Sequence, residues 1–338
     1  MGQNAHAAGD EAVTVADLSD AGSPTSPAVL SPFRPRLSPH VTELERSAVE
    51  WATRQGLIAG PAIRRYARAR FARLIARTYP DAPPTALSLA TAWLTTVFAL
   101  DDHLETALGR DPARQREIRA LLLDHLGGAV TVEPLAAAVG APLSRALAVV
   151  WARTAAAAGP AWRERFRTHL ADYLAGNVWE AENRATGRVP GVPEYLRMRR
   201  STAATAIFFD LIEVFGGVEL TPAAAADPAV LALRRHADNV VAWFNDLVSW
   251  PKELARGDVH NLVLVLARNT GVALPEAVRT VVAWHDAEVT EFLRARHRLP
   301  AALRATAGVE PMVAGLTYWI RGNVDWSRES GRYAVAQR

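Results

Sequence analysis

Several features common in proteins are absent or scarce in this chain of 338 residues. There is no cysteine, so neither disulfide bonds nor thiolate chemistry is available, and a cytoplasmic location is expected. Lys252 is the single lysine among 38 basic residues, and no basic block with interleaved aromatic residues occurs. Nucleic acid is therefore not expected as a partner. The first twenty residues have neither a basic start nor an apolar run, so no secretory signal is predicted.

A membrane span is also not expected. The uncharged stretch from 82 to 100, APPTALSLATAWLTTVFAL, approaches the length of one. It begins with two prolines, however, carries five hydroxyl side chains, and is followed directly by two aspartates. This composition favours a helix that is buried inside a large bundle.

Alternating strand patterns are missing, and helical periodicity takes their place. Beyond Pro39, apolar residues recur every three or four positions, as in VTELERSAVEWATRQGL and EAVRTVVAWHDAEVTEFLRARHRL. Half of the residues are hydrophobic, which is enough for a large core. We predict an all-α fold with one helical domain over residues 32–338. Residues 1–31, rich in Ala, Ser, Pro and Asp and without periodicity, are predicted to be disordered.

The stretch NDLVSWPKELARGD, at 245–258, carries oxygen-bearing side chains four residues apart, at Asn245, Ser249 and Glu253. On a helix these side chains share one stripe. A solvated helix face gives the same spacing, but the preceding HADNVVAWF is largely apolar, and buried polar groups need partners. One carboxylate and two neutral oxygens suit a hard cation such as Mg²⁺. Lys252, within the same stretch, is a candidate for contact with a phosphate.

A second acidic cluster ends the uncharged stretch. FALDDHLE contains Asp101, Asp102 and Glu105, and three carboxylates this close would repel one another without a cation. A charged helix end is the ordinary alternative for such a cluster considered alone.

Taken together, the two clusters resemble motifs of the class I terpene cyclases, in the bacterial single-domain branch. DDHLE resembles the Asp-rich motif of that family, and NDLVSWPKE resembles its Asn/Ser/Glu metal motif. Three more stretches agree in order: SPFRPRLSPH before the first helix, WEAENRATGRVPGVPEYLRMRR leading to a diphosphate-sensing arginine, and DWSRESGRY with a C-terminal Arg-Tyr pair. The resemblance covers about 32–338. It implies a helical bundle of the class I terpenoid synthase type with a central active-site cavity, which SPFRPRLSPH would help to close.

The resemblance also implies an activity and a set of site residues. The substrate would be a linear isoprenyl diphosphate, ionised to an allylic cation that then cyclises. Three Mg²⁺ ions would clamp the diphosphate, with Asn245, Ser249 and Glu253 on one side, Asp101 on the other, and Asp102 or Glu105 assisting. Further donors to the diphosphate would be Arg199, Lys252, Arg332 and Tyr333.

This sequence departs from the family pattern at two places. Pro251 lies inside the metal motif and cannot donate to the Leu247 carbonyl, so a kink is expected that would re-aim Glu253. After the sensor arginine, Thr202 and Ala203 stand where many bacterial members have an acidic linker and a glycine. Arg200 is an alternative sensor, and the carbonyl that faces the departing diphosphate could belong to Ala203 or to Ala204.

Aromatic side chains are expected to line the pocket, because a ring face attracts a carbocation without offering a nucleophilic lone pair. Phe98 lies one helical turn before Asp101, and Trp326 lies six residues before Arg332, where related cyclases carry a pocket tryptophan. Further candidates are Phe208, Phe209, Trp243 and Phe244.

Other functions fit the sequence less well. A chain-elongating prenyl transferase would need a second Asp-rich motif, and a protonation-initiated cyclase would need a DxDD motif; neither is present. His285 and Asp286 could belong to an HD-type phosphohydrolase, but no convincing set of partner ligands accompanies them. Farnesyl diphosphate, giving a sesquiterpene hydrocarbon or alcohol, is the leading substrate, with C20 and C10 diphosphates as alternatives. A homodimer is an arrangement that the sequence leaves open.

Overall fold

The structure is a computed structural model that describes residues 27–106, 111–129 and 131–333. Over these residues it contains sixteen helices and no strand, which confirms the predicted all-α fold. The helices of the first half are α1 (Val41–Gln55), α2 (Pro61–Ala69), α3 (Phe71–Thr78), α4 (Pro84–Thr106), α5 (Pro112–Leu126), α6 (Val132–Val139), α7 (Ala141–Ala157) and α8 (Pro160–Thr186). Those of the second half are α9 (Val192–Thr202), α10 (Thr205–Gly216), α11 (Pro222–Ala225), α12 (Pro228–Arg256), α13 (Leu262–Thr270), α14 (Leu274–Arg298), α15 (Ala301–Arg304) and α16 (Val309–Glu329).

Helix α4 is the uncharged stretch of the sequence, and its hydroxyl groups are satisfied within the helix itself. Thr91, Thr95 and Thr96 are buried, and each donates to the carbonyl four residues earlier, at 2.7–2.8 Å. Buried hydroxyls need such partners. No helix among the described residues is long and apolar enough to cross a membrane.

Helix α12 is central to the bundle and packs against α10, α13, α14 and α16. It begins after Asp227, whose carboxylate accepts from the Ala229 N–H, and continues through Pro251 to Arg256. The helix therefore carries Asn245, Ser249 and Glu253, although Pro251 within it has no backbone N–H to donate. One hydrophobic core joins most of the bundle, and a second packs α12 against α13 and α14.

The segment before α1 lies along the outside of the bundle. The Leu30 N–H donates to Asp286 at 2.8 Å, and Arg321 donates to the carbonyls of Ser31 and Phe33, each at 3.2 Å. Phe33 is buried with its ring edge-on to Phe292. The domain boundary predicted at residue 31 thus falls in a stretch that contacts the helices. Residues 1–26 lie outside the described part of the chain, so the disorder predicted for them remains a prediction.

We expect residues 1–26 and residues 27–35 to differ in their contribution to the stability of the protein. Removing residues 1–26 is expected to leave the free energy of unfolding unchanged. Removing residues 1–35 takes away the buried Phe33 side chain, whose burial contributes about 1.5–3 kcal/mol, and both carbonyl partners of Arg321. Urea denaturation of the two truncated proteins measures the difference. Equal stability of both would contradict a structural role for residues 27–35.

Candidate active site

A large cavity of about 1910 Å³, counting its mouth, lies between α2, α4, α8, α10, α12 and α16. The predicted central cavity is therefore present. The apolar part of its lining includes Phe71, Leu74, Leu94, Val97, Phe98, Phe208, Trp319 and Trp326. All of the predicted metal ligands, diphosphate donors and linker residues line this cavity, as do the two leading pocket aromatics, Phe98 and Trp326. Residues 31–40 do not line it, so the expected closure by SPFRPRLSPH is not seen in this structure.

Ser249 and Glu253 are connected by a residue that the sequence motif does not include. Asn261, the N-cap of α13, is fully buried, and its Nδ2 donates to Glu253 Oε2 at 2.7 Å and to Ser249 Oγ at 3.3 Å. Its own side-chain oxygen accepts from the Val263 N–H at 2.9 Å, which fixes the orientation of the amide. Asn261 thus holds two of the three predicted ligands on one side of the cavity.

The carboxyl group of Glu253 is unusually costly to ionise. Burial raises its pKa to about 8, the nearby Asp246 adds to the shift, and Arg199 offsets only part of it. A carboxylate, a hydroxyl and an amide oxygen along one helix are the kind of oxygen donors that hard cations prefer. The residues at this position therefore fit a bound cation, which would supply the missing positive charge.

On the opposite side, Asp101 accepts a hydrogen bond from the Tyr173 hydroxyl at 3.1 Å. Burial raises the pKa of Asp101 to about 6, and Arg332 opposes the shift. Glu105 is partly exposed, but loss of hydration raises its pKa to about 7, with repulsion from Asp101 as the next cause. Among the described residues, no three His, Asp or Glu side chains group closely enough to hold a metal ion by themselves. Asp101, Asp102 and Glu105 therefore do not form a closed metal site in this structure.

Arg199 is held toward the cavity by the residue next to Asn245. Its Nε donates to Asp246 Oδ1 at 3.0 Å, and its Nη2 donates to Asn245 Oδ1 at 2.9 Å. Its Nη1 donates to Thr202 Oγ1 at 3.3 Å, so Thr202 contacts the arginine as a linker would. Arg200 instead donates to the carbonyl of Leu196 and does not line the cavity. Of the two candidate sensors, only Arg199 faces the site.

The C-terminal pair closes the side of the cavity near α4. The guanidinium of Arg332 lies over the Phe98 ring, 4.0 Å from its centroid, and 5.5 Å from the Phe71 centroid. The hydroxyl of Tyr333 accepts from Asn245 Nδ2 at 2.8 Å, which connects the C-terminal segment to the metal motif. Lys252 lines the same region, and burial lowers its pKa, with Arg332 and Arg256 adding to the effect.

This C-terminal segment is fixed by the break between α2 and α3. The Gly331 N–H donates to the Arg68 carbonyl at 2.8 Å, and the Ser330 hydroxyl donates to the Ala69 carbonyl at 2.8 Å. Trp326 is buried, and its Nε1 donates to the carbonyls of Ala69 and Arg70, both at 2.9 Å. Trp326 therefore has a structural bond as well as a ring that faces the cavity.

The aromatic candidates divide into two groups. Phe98 and Phe208 line the cavity with Trp326, whereas Phe209, Trp243 and Phe244 are buried elsewhere in the two cores. Phe71 was not predicted, although it stacks on Phe98 with ring centroids 4.4 Å apart. It lies in an arginine-rich amphipathic segment that carries no motif, so the sequence offered no signal for it. His285 and Asp286 contact each other at 3.0 Å outside the cavity, and Asp286 binds the N-terminal segment instead of a metal.

Comparison with known proteins agrees with this geometry. The family described as "Terpene synthase family 2, C-terminal metal binding" matches residues 92–291. The (+)-T-muurolol synthase of Roseiflexus castenholzii, described as farnesyl diphosphate cyclizing, is 36% identical over 91% of this chain and 93% of its own length. The 10-epi-cubebol synthase of Sorangium cellulosum is 33% identical over 90% of this chain and 97% of its own length.

Solved structures give the same result. A cucumene synthase variant superimposes with a TM-score of 0.78, at 31% identity over 90% of this chain and 99% of its own. The linalool/nerolidol synthase of Streptomyces clavuligerus in complex with 2-fluorogeranyl diphosphate also has a TM-score of 0.78, at 29% identity over 91% and 100% of the two chains. With this fold and these relatives, the chain belongs to the terpene synthase family and is a class I terpene synthase.

Proposed function

We propose that this enzyme ionises farnesyl diphosphate and cyclises the resulting allylic cation to a sesquiterpene hydrocarbon or alcohol, with release of diphosphate. The observation that carries the proposal is that one cavity is lined both by polar side chains, which we take as its mouth, and by aromatic rings, which we take as its floor. Oxygen donors of α4 and α12 line this cavity together with the rings of Phe71, Phe98 and Trp326. The relative from Roseiflexus castenholzii supports the C15 substrate, because its description states that it cyclises farnesyl diphosphate.

The mouth has the chemistry to stabilise a leaving diphosphate. Ionisation concentrates negative charge on the diphosphate oxygens, so donors aimed there favour the transition state over the ground state. Arg199 and Arg332 would supply forked donors, Lys252 a point charge, and Tyr333 a hydroxyl. Arg199 is pre-oriented by Asp246, so little conformational freedom is lost when it binds the diphosphate.

We infer that Mg²⁺ is the cofactor and that three ions bind. Asn245, Ser249 and Glu253 would hold one, and Asp101 two, with Asp102 or Glu105 assisting. Bound Mg²⁺ would neutralise charge on the diphosphate as it departs. The raised pKa values of Asp101 and Glu253 support this inference, because both carboxyl groups are half-buried and their protein neighbours do not offset the lost hydration.

The floor would guide the cation after ionisation. The rings of Phe98 and Phe71 stack on each other, and Phe208 and Trp319 continue the aromatic lining of the cavity. Such faces attract a cation and offer no lone pair that would quench it. In the break between α9 and α10, we assign the carbonyl facing the departing group to Ala203, because the Ala204 carbonyl accepts from the Ile207 N–H.

A C10 substrate is the second candidate, since the Streptomyces clavuligerus structure contains a fluorinated geranyl diphosphate. We expect the highest kcat/KM with the C15 diphosphate when C10, C15 and C20 diphosphates are each supplied with Mg²⁺. Gas chromatography of the extracts and a diphosphate-release assay measure the outcome. Turnover that required added isopentenyl diphosphate would instead identify a chain-elongating transferase.

Loss of either side of the mouth is expected to abolish turnover. Asp101→Ala and Asn245→Ala should each lower diphosphate release by orders of magnitude. Each removes an oxygen donor of the site and the hydrogen bonds that orient the neighbouring side chains. Asp172→Ala, at an exposed position of α8 outside the cavity, is the matched control. Circular dichroism should show unchanged helical content in all three variants. Full activity of the wild type in excess chelator would refute the metal requirement.

Phe98→Leu and Arg332→Ala should have opposite effects, although the two side chains touch. Phe98→Leu removes a ring face worth about 2 kcal/mol to a desolvated cation, which is over tenfold in the partition between competing products. We expect more acyclic or early-quenched products at a similar release rate. Arg332→Ala should depress release and keep the product pattern of the residual activity. A product chromatogram beside a release assay makes the comparison, and an unchanged pattern in Phe98→Leu would remove that ring from the reaction.

A further inference from the structure

The cavity wall contains a helix break whose hydrogen bonding differs from that of a continuous helix. Helix α9 ends at Thr202 and α10 begins at Thr205, and Ala203 and Ala204 between them line the cavity. In an uninterrupted helix the Ile207 N–H would donate to the Ala203 carbonyl, four residues earlier. Here it donates to the Ala204 carbonyl at 3.2 Å. Among the described residues, no group donates to the Ala203 carbonyl. Because Ala203 lines the cavity, the break leaves that carbonyl available there.

The break depends on an unfavourable backbone conformation. Ala204 has φ 57° and ψ 4°, in the left-handed region, and only Ala204 and Arg70 adopt positive φ among the described non-glycine residues. For a residue with a Cβ, this conformation is disfavoured about 5- to 30-fold relative to the right-handed one. Ala204 would therefore relax toward a helical conformation unless its surroundings prevented it.

A buried pair of side chains lies directly after the strained residue. Thr205 Oγ1 donates to Asp238 Oδ1 at 2.5 Å, and both residues are buried. Asp238 belongs to α12, seven residues before Asn245, and does not line the cavity. Burial raises the pKa of Asp238 to about 7, even though Thr205 and three arginines favour its ionised form. A carboxyl group is thus retained here at a cost, with a hydroxyl of the break as its hydrogen-bond partner.

The other side of the break is attached to the same helix. Arg199, at the end of α9, binds Asp246 and Asn245 of α12. The two attachments therefore hold the end of α9 and the start of α10 at separate points of α12, about two turns apart. A continuous helix through 203 and 204 would have to release one of them.

We propose that Asp238 is a positioning residue whose hydrogen bond to Thr205 keeps Ala204 left-handed and so keeps the Ala203 carbonyl exposed to the cavity. The proposal rests on the function proposed above, because the carbonyl acts on the ionising substrate. Asp238 does not line the cavity, so it would act through Thr205 and not on the substrate directly. Its loss should therefore affect ionisation more than substrate binding.

Asp238→Leu removes the acceptor and keeps the branched shape of the side chain, and Asp238→Asn keeps an acceptor oxygen. With farnesyl diphosphate and Mg²⁺, we expect Asp238→Leu to lower kcat for diphosphate release about tenfold, with KM changed less than about threefold. Asp238→Asn should retain kcat within about threefold. The proposal would be overturned if Asp238→Leu had the same kcat as the wild type. It would also be overturned if Asp238→Leu and Asp238→Asn lost kcat equally.

Glycine at position 204 gives a test of the backbone itself, because glycine adopts positive φ without a steric penalty. Ala204→Gly should restore most of the lost kcat in the Asp238→Leu background. A failure of this rescue would show that Asp238 acts in some way other than through Ala204.

A measurement without substrate separates this proposal from the proposed function. In urea denaturation, Ala204→Gly and Asp238→Leu should be non-additive, by about fivefold in the unfolding equilibrium constant, because both act on one backbone conformation. Additive effects would overturn the proposal whatever the substrate proves to be.

If Asp238→Leu does not fold, Thr205→Val with Thr205→Ser as its control tests the same bond. Absence of release by the wild type would instead refute the proposed function.

Discussion

The arrangement of the site depends on one buried carboxylate, that of Asp246. Its oxygens accept from the Tyr195 hydroxyl at 2.9 Å, from Arg199 Nε at 3.0 Å and from the Leu262 N–H at 3.0 Å. These three donors belong to α9 and α13, whereas Asp246 belongs to α12. Bonds to a charged group are stronger than neutral ones, and a buried charge requires several of them. Asp246 therefore fixes the positions of both helices relative to Asn245, its neighbour in the metal motif.

Loss of hydration also makes the carboxyl groups along the cavity costly to ionise. The pKa of Asp246 is raised by its burial even with an arginine in direct contact, and the pKa values of the partly exposed Asp101, Glu105 and Glu253 rise to about 6, 7 and 8. Tertiary packing holds these groups together at a cost in stability, which is common where a ligand later supplies the missing charge. The cavity thus carries carboxyl groups whose charge the protein's own side chains balance only in part. This is the arrangement expected where a densely charged ligand binds.

The sequence predicted the parts of the site that lie on one helix, and it missed those contributed across helices. Asn245, Ser249 and Glu253 follow from a four-residue spacing, and the burial of α4 follows from its composition. Asn261 and Tyr173 each contact a predicted ligand, but they come from other helices, and no local spacing relates them to the motifs. Phe71 and Asp238 were missed for the same reason, because an isolated aromatic or acidic residue has many ordinary roles. Phe209, Trp243 and Phe244, which were candidates for the pocket, could not be distinguished from core residues without the packing.

The two strained non-glycine residues show why backbone geometry was the hardest feature to foresee. Arg70 and Ala204 are ordinary helix formers, and neither carries the glycine or asparagine that signals a left-handed turn. Each is stabilised by a contact distant in sequence: the Arg70 carbonyl accepts from Trp326, and the residue after Ala204 binds Asp238. Both breaks adjoin the cavity, with Ala69 and Phe71 flanking one and Ala203 lining the other. The strain is therefore located where the chain must turn side chains and carbonyls toward the site, and tertiary contacts alone, rather than local propensity, determine those turns.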